Sequence, residues 1–234
     1  MRKKRLPILD LVFISVFALL FWKPFVFNVS TSFSVAIPME KNSFGIDVSH
    51  HQGKINWDTL LNNQSVRPTI DFVFLKATEG LDHRDKQYNY NSNELRKKDI
   101  PIGAYHFFLP LKSSRLQAKN FISTVRFEDI ELPPVIDIEQ HGSSKEALKD
   151  SVKVWLDLIE DNSGMRPLIY CSWSFYKKYF ENDFSDYKFW VARYSNTVKL
   201  KEHPNILYWQ FTDQADLPFH TSKIDLNVSS VKFD

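Results

Sequence analysis

The chain has 234 residues, 25% charged and 43% hydrophobic, a balance that excludes wholesale disorder. Its one cysteine, Cys171, excludes an intrachain disulfide framework and a cysteine-rich zinc site. The formal charge of +2 is uneven: residues 1–40 hold five bases (Arg2, Lys3, Lys4, Arg5, Lys23) and two acids (Asp10, Glu40), leaving 25 bases and 26 acids over 41–234, so the body has no charge signature for nucleic acid.

The basic block Arg2–Arg5 precedes an apolar run, Leu6 to Trp22, interrupted only by Asp10. That is the pattern of an export signal with its basic end in the cytoplasm and the following chain outside. Leu6 to Phe27 supplies 22 residues, enough for an uncleaved membrane anchor over 1–27. A cleaved signal peptide is the alternative, with Ser34-Val35-Ala36 as its small-residue cut site; the distance of that site from Trp22 favours the anchor. Residues 28–43 read as a polar linker and 44–234 as one domain.

Within that domain the predicted strands are Phe44–Ser49, Phe72–Thr78, Ile102–Phe108, Pro134–Glu139, Leu168–Ser172, Phe189–Tyr194, Ile206–Thr212 and Ile224–Val228. Most are continuous apolar runs, as expected of strands covered on both faces. Helical patterns lie between them at Tyr88–Lys98, Ser113–Val125, Ser144–Asp161 and Ser172–Phe180. The third is the clearest, with Ala147, Leu148, Val152, Trp155, Leu156 and Ile159 on one stripe and Gly164 and Pro167 at its end. After residue 190 the connections are too short for long helices. The fold class is α/β: an irregular β/α (TIM-like) barrel of eight strands with fewer helices in its C-terminal part, with an open doubly wound sheet as the alternative. Dinucleotide, P-loop, H-E-x-x-H and G-x-S-x-G motifs are absent from the sequence.

Acids interrupt these apolar runs. In Val135-Ile136-Asp137-Ile138-Glu139, two carboxylates two residues apart share one strand face. Burying such a pair is costly without a purpose, and like charges at close range push one pKa upward. One group then serves as an acid and the other as a carboxylate. Asp47 and Asp225 sit in two further apolar strands. At one barrel mouth the four acids supply the chemistry of glycoside cleavage. A structural reading, caps or ion-pair partners, stands beside this for Asp47 and Asp225 taken singly. A metal site is disfavoured because His50, His51, His83 and His106 show no ligand spacing.

Aromatic residues lie at or just past the strand ends: Tyr105, Phe107, Tyr170, Trp173, Trp190, Tyr194, Tyr208 and Trp209. Sugar rings stack on such faces. Tyr105, Tyr170 and Trp209 are assigned to the cleft, Phe107 and Trp190 to the core. Lys76, Glu79, Arg193 and Gln210 read either as cleft ligands or as inward ion-pair members.

Taken in order, GIDVSHHQGKINW (45–57), FVFLKATEG (72–80), IGAYHFF (102–108), LPPVIDIE (132–139), RPLIYCSWSF (166–175), FWVARY (189–194), YWQFTD (208–213) and IDLN (224–227) make the body resemble glycoside hydrolase family 25, the Chalaropsis-type lysozymes. The resemblance implies an irregular β/α barrel, needing no metal or cofactor, that hydrolyses the β-1,4 bond between N-acetylmuramic acid and N-acetylglucosamine in peptidoglycan. It implies that Glu139 is the general acid and that Asp137 assists the substrate's acetamido group or acts directly. It further places Asp47 and Asp225 beside them, and Tyr105, Tyr170 and Gln210 in the sugar cleft. Residues Gln214–Lys223 depart from the Gly-rich hairpin usual in the family, which leaves the form of one cleft wall open. A non-catalytic glycan-binding module and a chitin-type glycosidase are the competing readings. The expected partners are peptidoglycan strands and, through the leader, a membrane; a monomer is the default.

Overall fold

The structure, a computed structural model, describes residues 28–38, 43–194 and 198–233. The expected anchor over 1–27 lies outside the described residues. Among those described, no helix is long and apolar enough to cross a membrane.

All eight expected strands form, as β3 (Ser43–Val48), β4 (Phe72–Glu79), β6 (Ile102–Phe107), β7 (Val135–Ile138), β8 (Leu168–Ser172), β9 (Lys188–Ala192), β10 (Ile206–Asp216) and β11 (Lys223–Ser229). A hairpin of β1 (Asn28–Ser30) and β2 (Val35–Ile37) precedes them, and the short β5 (His83–Arg84) pairs only with β4. The order β3-β11-β10-β9-β8-β7-β6-β4 closes on itself through parallel pairing of β3 with β4. The sheet is therefore a barrel, not the open alternative. Its strands run parallel except β11, which is antiparallel to both β10 and β3.

Strand alternation divides the apolar residues into two layers. Phe72, Phe74, Val135, Leu168, Trp190 and Tyr208 fill the barrel interior, with Phe74 stacked on Trp190 at a centroid distance of 4.5 Å. Room for Phe72 depends on Gly45, where a Cβ would fall 2.4 Å from the Phe72 ring. Outward residues pack against helices α1 (Trp57–Asn62), α2 (Tyr88–Arg96), α3 (Ser114–Ile122) and α4 (Lys145–Ser163). Ser144 Oγ caps α4 by accepting from the Ala147 amide at 3.0 Å, and Gly164 ends it at φ 68°. Leu148, Val152, Trp155, Leu156 and Ile159 form its buried stripe; Ala147, expected there, is exposed. The fourth helical pattern is only a turn at Trp173–Phe175 continued by π geometry over Tyr176–Phe180. Beyond β9 the only described helical element is the 3-10 turn Leu200–Glu202.

The polar linker expected over 28–43 is in part a folded element. Phe33, at the tip of the β1–β2 hairpin, is fully buried, and Ile37 is buried with it. The Phe33 ring lies 5.3 Å from Phe44, and its carbonyl accepts from the Asp216 amide at 3.0 Å. Ser32 Oγ donates to the Ser65 carbonyl and accepts from the Arg67 amide, both at 3.0 Å. Among the described residues no helix covers the outer side of β10 and β11, and the hairpin adds its apolar side chains to the same core as Ile224, Leu226 and Val228.

Candidate active site

The C-terminal ends of the parallel strands meet at one mouth, where a cleft of ≈ 300 Å³ is lined by all four acids, Asp47, Asp137, Glu139 and Asp225. Asp137 points inward from β7, and Glu139 follows two residues later, just past the strand end. Asp225 arrives differently from the expectation. It sits near the start of β11, and the reversed direction of that strand brings it level with Asp47, its partner in the β3–β11 register.

Asp47 is buried and well supplied with donors. Its Oδ2 accepts from Asn227 Nδ2 at 2.7 Å and Gln210 Nε2 at 3.0 Å, and Asp225 donates a further hydrogen bond. Burial nevertheless raises its pKa to about 6. Burial and the neighbouring Asp47 charge raise Asp225 to about 9. The two carboxyls therefore share one proton across the neutral range.

Gln210 is held from three sides: Oε1 accepts from Tyr170 at 2.7 Å and Tyr194 at 2.6 Å, while Nε2 donates to Asp47. These bonds fix its amide orientation. Trp190 lines the cleft and donates its indole N–H to Asn227 Oδ1 at 2.7 Å. Burial, reinforced by the carboxylates, pushes the Tyr105 and Tyr170 phenols well above their ordinary value, so both remain neutral O–H groups.

The Asp137 carboxyl is buried, and its Oδ1 has no hydrogen-bond partner. Burial and then the Glu139 charge raise its pKa well above the usual range, against the pull of Lys76. Glu139 is solvent-accessible, yet the cleft wall desolvates its carboxyl enough to raise its pKa, again opposed by Lys76. Lys76 is itself buried, 2.6 Å from Glu79 Oε2 and 4.9 Å from the Phe107 ring centroid. It is the cation set against the Asp137–Glu139 pair.

Of the residues expected at the site, Asp47, Tyr105, Asp137, Glu139, Tyr170, Gln210 and Asp225 line the cleft. Lys76 and Glu79 form an ion pair beside it rather than a wall of it. Two expectations fail. Trp209 faces outward into the sheet–helix core, where its N–H donates to the Arg193 carbonyl at 2.9 Å; alternation that turns Gln210 inward must turn Trp209 out. Arg193 follows the inward Ala192 and lays its guanidinium over the Trp173 ring at 4.4 Å.

Four site residues escaped the sequence reading. Trp190 was assigned to the core, but the pairings Trp190↔Tyr208 and Ala192↔Gln210 put it in phase with Gln210. Asn227 is two residues from Asp225 and shares its face, a signal that was available. Tyr194 lies beyond the end of β9 but in phase with the inward Trp190 and Ala192, a signal that was available; Asp213 lies where the β10–β11 register shifts between Thr212 and Ala215, and alternation does not predict it. The rings of His51 and His83 lie 4.1 Å and 6.1 Å from that of His50, centroid to centroid. His106 is a buried neutral group held by Thr78 at 2.7 Å and Gln117 at 3.2 Å, its pKa lowered to about 4 by burial. His50 binds Asp85 at 2.7 Å. Among the described residues no cluster of three or more His, Cys, Asp or Glu is arranged to hold a metal ion.

Known proteins carry the same barrel. The family model for Glycosyl hydrolases family 25 matches residues 46–219. YegX of Escherichia coli strain K12 is 32% identical over 198 residues, spanning 84% of this chain and 73% of its own length. The autolytic lysozyme of Clostridium acetobutylicum is 24% identical over 184 residues, 78% of this chain and 54% of that protein. Among solved structures, a family 25 glycosyl hydrolase from Bacillus anthracis superposes with a TM-score of 0.74 at 27% identity, covering 84% of this chain and 92% of its own. The bacterial lysozyme from Streptomyces coelicolor gives 0.70 at 25% identity, covering 82% and 94%. With the matched segment running from β3 to the β10–β11 connection and the four acids meeting at one mouth, the chain belongs to glycosyl hydrolase family 25.

Proposed function

We infer that the protein is a peptidoglycan muramidase that cuts the β-1,4 bond on the reducing side of N-acetylmuramic acid. The observation that carries this reading is the unequal pair at the end of β7: an accessible Glu139 beside a buried Asp137 with one unpartnered oxygen. Repulsion leaves the pair with one proton. When the Asp137 carboxyl receives the N–H of the sugar's acetamido group, its ionised form is favoured and the proton rests on Glu139. Glu139 then protonates the leaving oxygen. Asp137 supports the acetamido oxygen's attack on the anomeric carbon or attacks that carbon itself. Either route proceeds through two displacements and retains configuration. Tyr105 and Tyr170 remain neutral donors for sugar hydroxyls, and Trp190 offers an apolar face.

Digestion of defined peptidoglycan by the full chain, followed by mass analysis, tests the assignment. Products ending in reducing muramic acid are expected. Cleavage of an N-acetylglucosamine polymer at a comparable rate would overturn the substrate, and glycan binding without cleavage would overturn the activity.

We further propose that the domain acts as a monomer outside the cytoplasm, held by residues 1–27. Burial of Phe33 supports retention of the leader: a cut after Ala36 would remove Phe33 from the core it fills. Membrane fractionation should find the full-length chain in the pellet; a soluble product beginning at Ile37 would contradict this.

A further inference from the structure

Glu139 carries the proton in the scheme above, yet among the described residues its carboxyl makes no hydrogen bond and no ion pair; burial and the charge of Lys76 act on it, and no donor orients it. Its position is therefore inherited from its backbone. Upstream that backbone is fixed: Ile138 pairs with Cys171 across β7 and β8, and the Asp137 carbonyl accepts from the Phe108 amide at 2.9 Å. Downstream the chain leaves the sheet. Gln140, His141 and Gly142 belong to no helix or strand, and none of them makes a backbone hydrogen bond among the described residues. The next backbone anchor is Ser144, the cap of α4.

One side chain bridges this gap. The His141 ring lies on Phe175 at a centroid distance of 4.7 Å and an interplanar angle of 28°. Its Nδ1 is hydrogen-bonded to the Tyr179 hydroxyl at 3.0 Å. Phe175 and Tyr179 are four residues apart on the helical turns after β8, with their ring centroids 5.0 Å apart, so His141 is held from two sides. Their own support is firm. Tyr179 is buried, and the neighbouring Tyr176 packs its ring 4.9 Å from that of Phe189 on β9. The helical turns over 173–180 contribute no residue to the cleft; they hold the far end of the segment that starts at Glu139.

We propose, resting on the muramidase reading and deepening it, that His141 is a positioning residue: clamped by Phe175 and Tyr179, it fixes the segment 139–142 and with it the carboxyl that protonates the leaving oxygen. A general acid must stand within hydrogen-bond reach of the atom it protonates. A misplacement of about 1 Å can cost roughly 10²-fold in rate. Glu139 has no side-chain partner to correct such an error, so the tether of its loop decides where the proton is delivered.

The test is steady-state hydrolysis of purified peptidoglycan by full-length variants. His141→Ala removes both contacts and should lower kcat roughly tenfold or more while KM stays within about twofold. His141→Phe, which keeps a ring on Phe175, should recover part of the loss. The same His141→Ala change is then made in the Glu139→Gln background. A residue that acts through the Glu139 acid has nothing left to position there, so the second loss should vanish. A tenfold loss that persists in that background, or no loss of kcat in the wild-type background, would overturn the proposal. If His141→Ala does not fold, Tyr179→Phe, which deletes only the hydroxyl, carries the same cycle: a lower kcat that disappears beside Glu139→Gln supports the tether, and an unchanged or additive kcat overturns it. Failure of the wild type to release reducing ends would overturn the muramidase reading, and this inference with it.

Discussion

Asp225 lies directly across the antiparallel β3–β11 pair from Asp47 and donates a hydrogen bond to it. The chain reverses direction once in the barrel, and that reversal delivers a carboxyl from the start of β11 to the mouth where the other strands end. The two acids stand above the ordinary aspartate value of 3.8, at about 6 and about 9. Between those limits the folded state binds more protons than the unfolded one. The stability from this pair is fully present below about pH 4 and is lost as pH rises through about 6 and then about 9.

Asp225→Asn keeps a donor toward Asp47 and removes the upper titration. The variant should match the wild type near pH 4 and exceed it by roughly 2–6 °C in Tm near pH 9. Calorimetry across this range checks the sign; a variant less stable at alkaline than at acid pH, relative to wild type, would refute a shared proton.

Lys76 lowers the pKa of both Asp137 and Glu139. Lys76→Gln should therefore raise both and move the alkaline limb of the kcat/KM profile to higher pH, with the maximum falling roughly tenfold as the pair loses its cation. A limb that moves downward would show that Lys76 does not face the pair electrostatically.

The outward turn of Trp209 separates packing from recognition. Trp209→Ala should destabilise the fold by about 3–5 kcal/mol while KM for peptidoglycan holds. Trp190→Leu should raise KM, because that ring lines the cleft. Denaturation curves and steady-state kinetics on the two variants distinguish the roles.

Phe33 lies in the N-terminal hairpin and outside the matched segment 46–219, yet it is fully buried. Phe33→Ala should lower the unfolding free energy by about 3–5 kcal/mol, measured in urea. A change below about 1 kcal/mol would mean that 28–37 is only a tether.

Most of the barrel was legible because its strands are short apolar runs between turn residues, and the acids stood out by interrupting them. Asp137 and Glu139 could be paired from spacing alone, since two residues along a strand restore the same face. The same rule places Trp209 outward once Gln210 faces the cleft, and Asn227 on the face of Asp225; only the pairing between strands shows which face of β10 is inward. Closure of the barrel and the direction of β11 depend on pairings between distant segments, which local periodicity does not encode. Helix α1 has six residues, too few for a helical stripe to show. The hairpin over 28–37 was hidden for a different reason. Its polar residues look like linker, and what folds it is the uncovered outer face of strands some 190 residues later.

Glu139 as proton donor is tested most directly by the rate at which full-length Glu139→Gln releases reducing ends from purified peptidoglycan. Loss of the acid should reduce that rate by at least ~10²–10⁴-fold while the variant still binds the glycan. Hydrolysis within a few-fold of wild type would remove Glu139 from the chemistry and return the role to another carboxyl of the cleft.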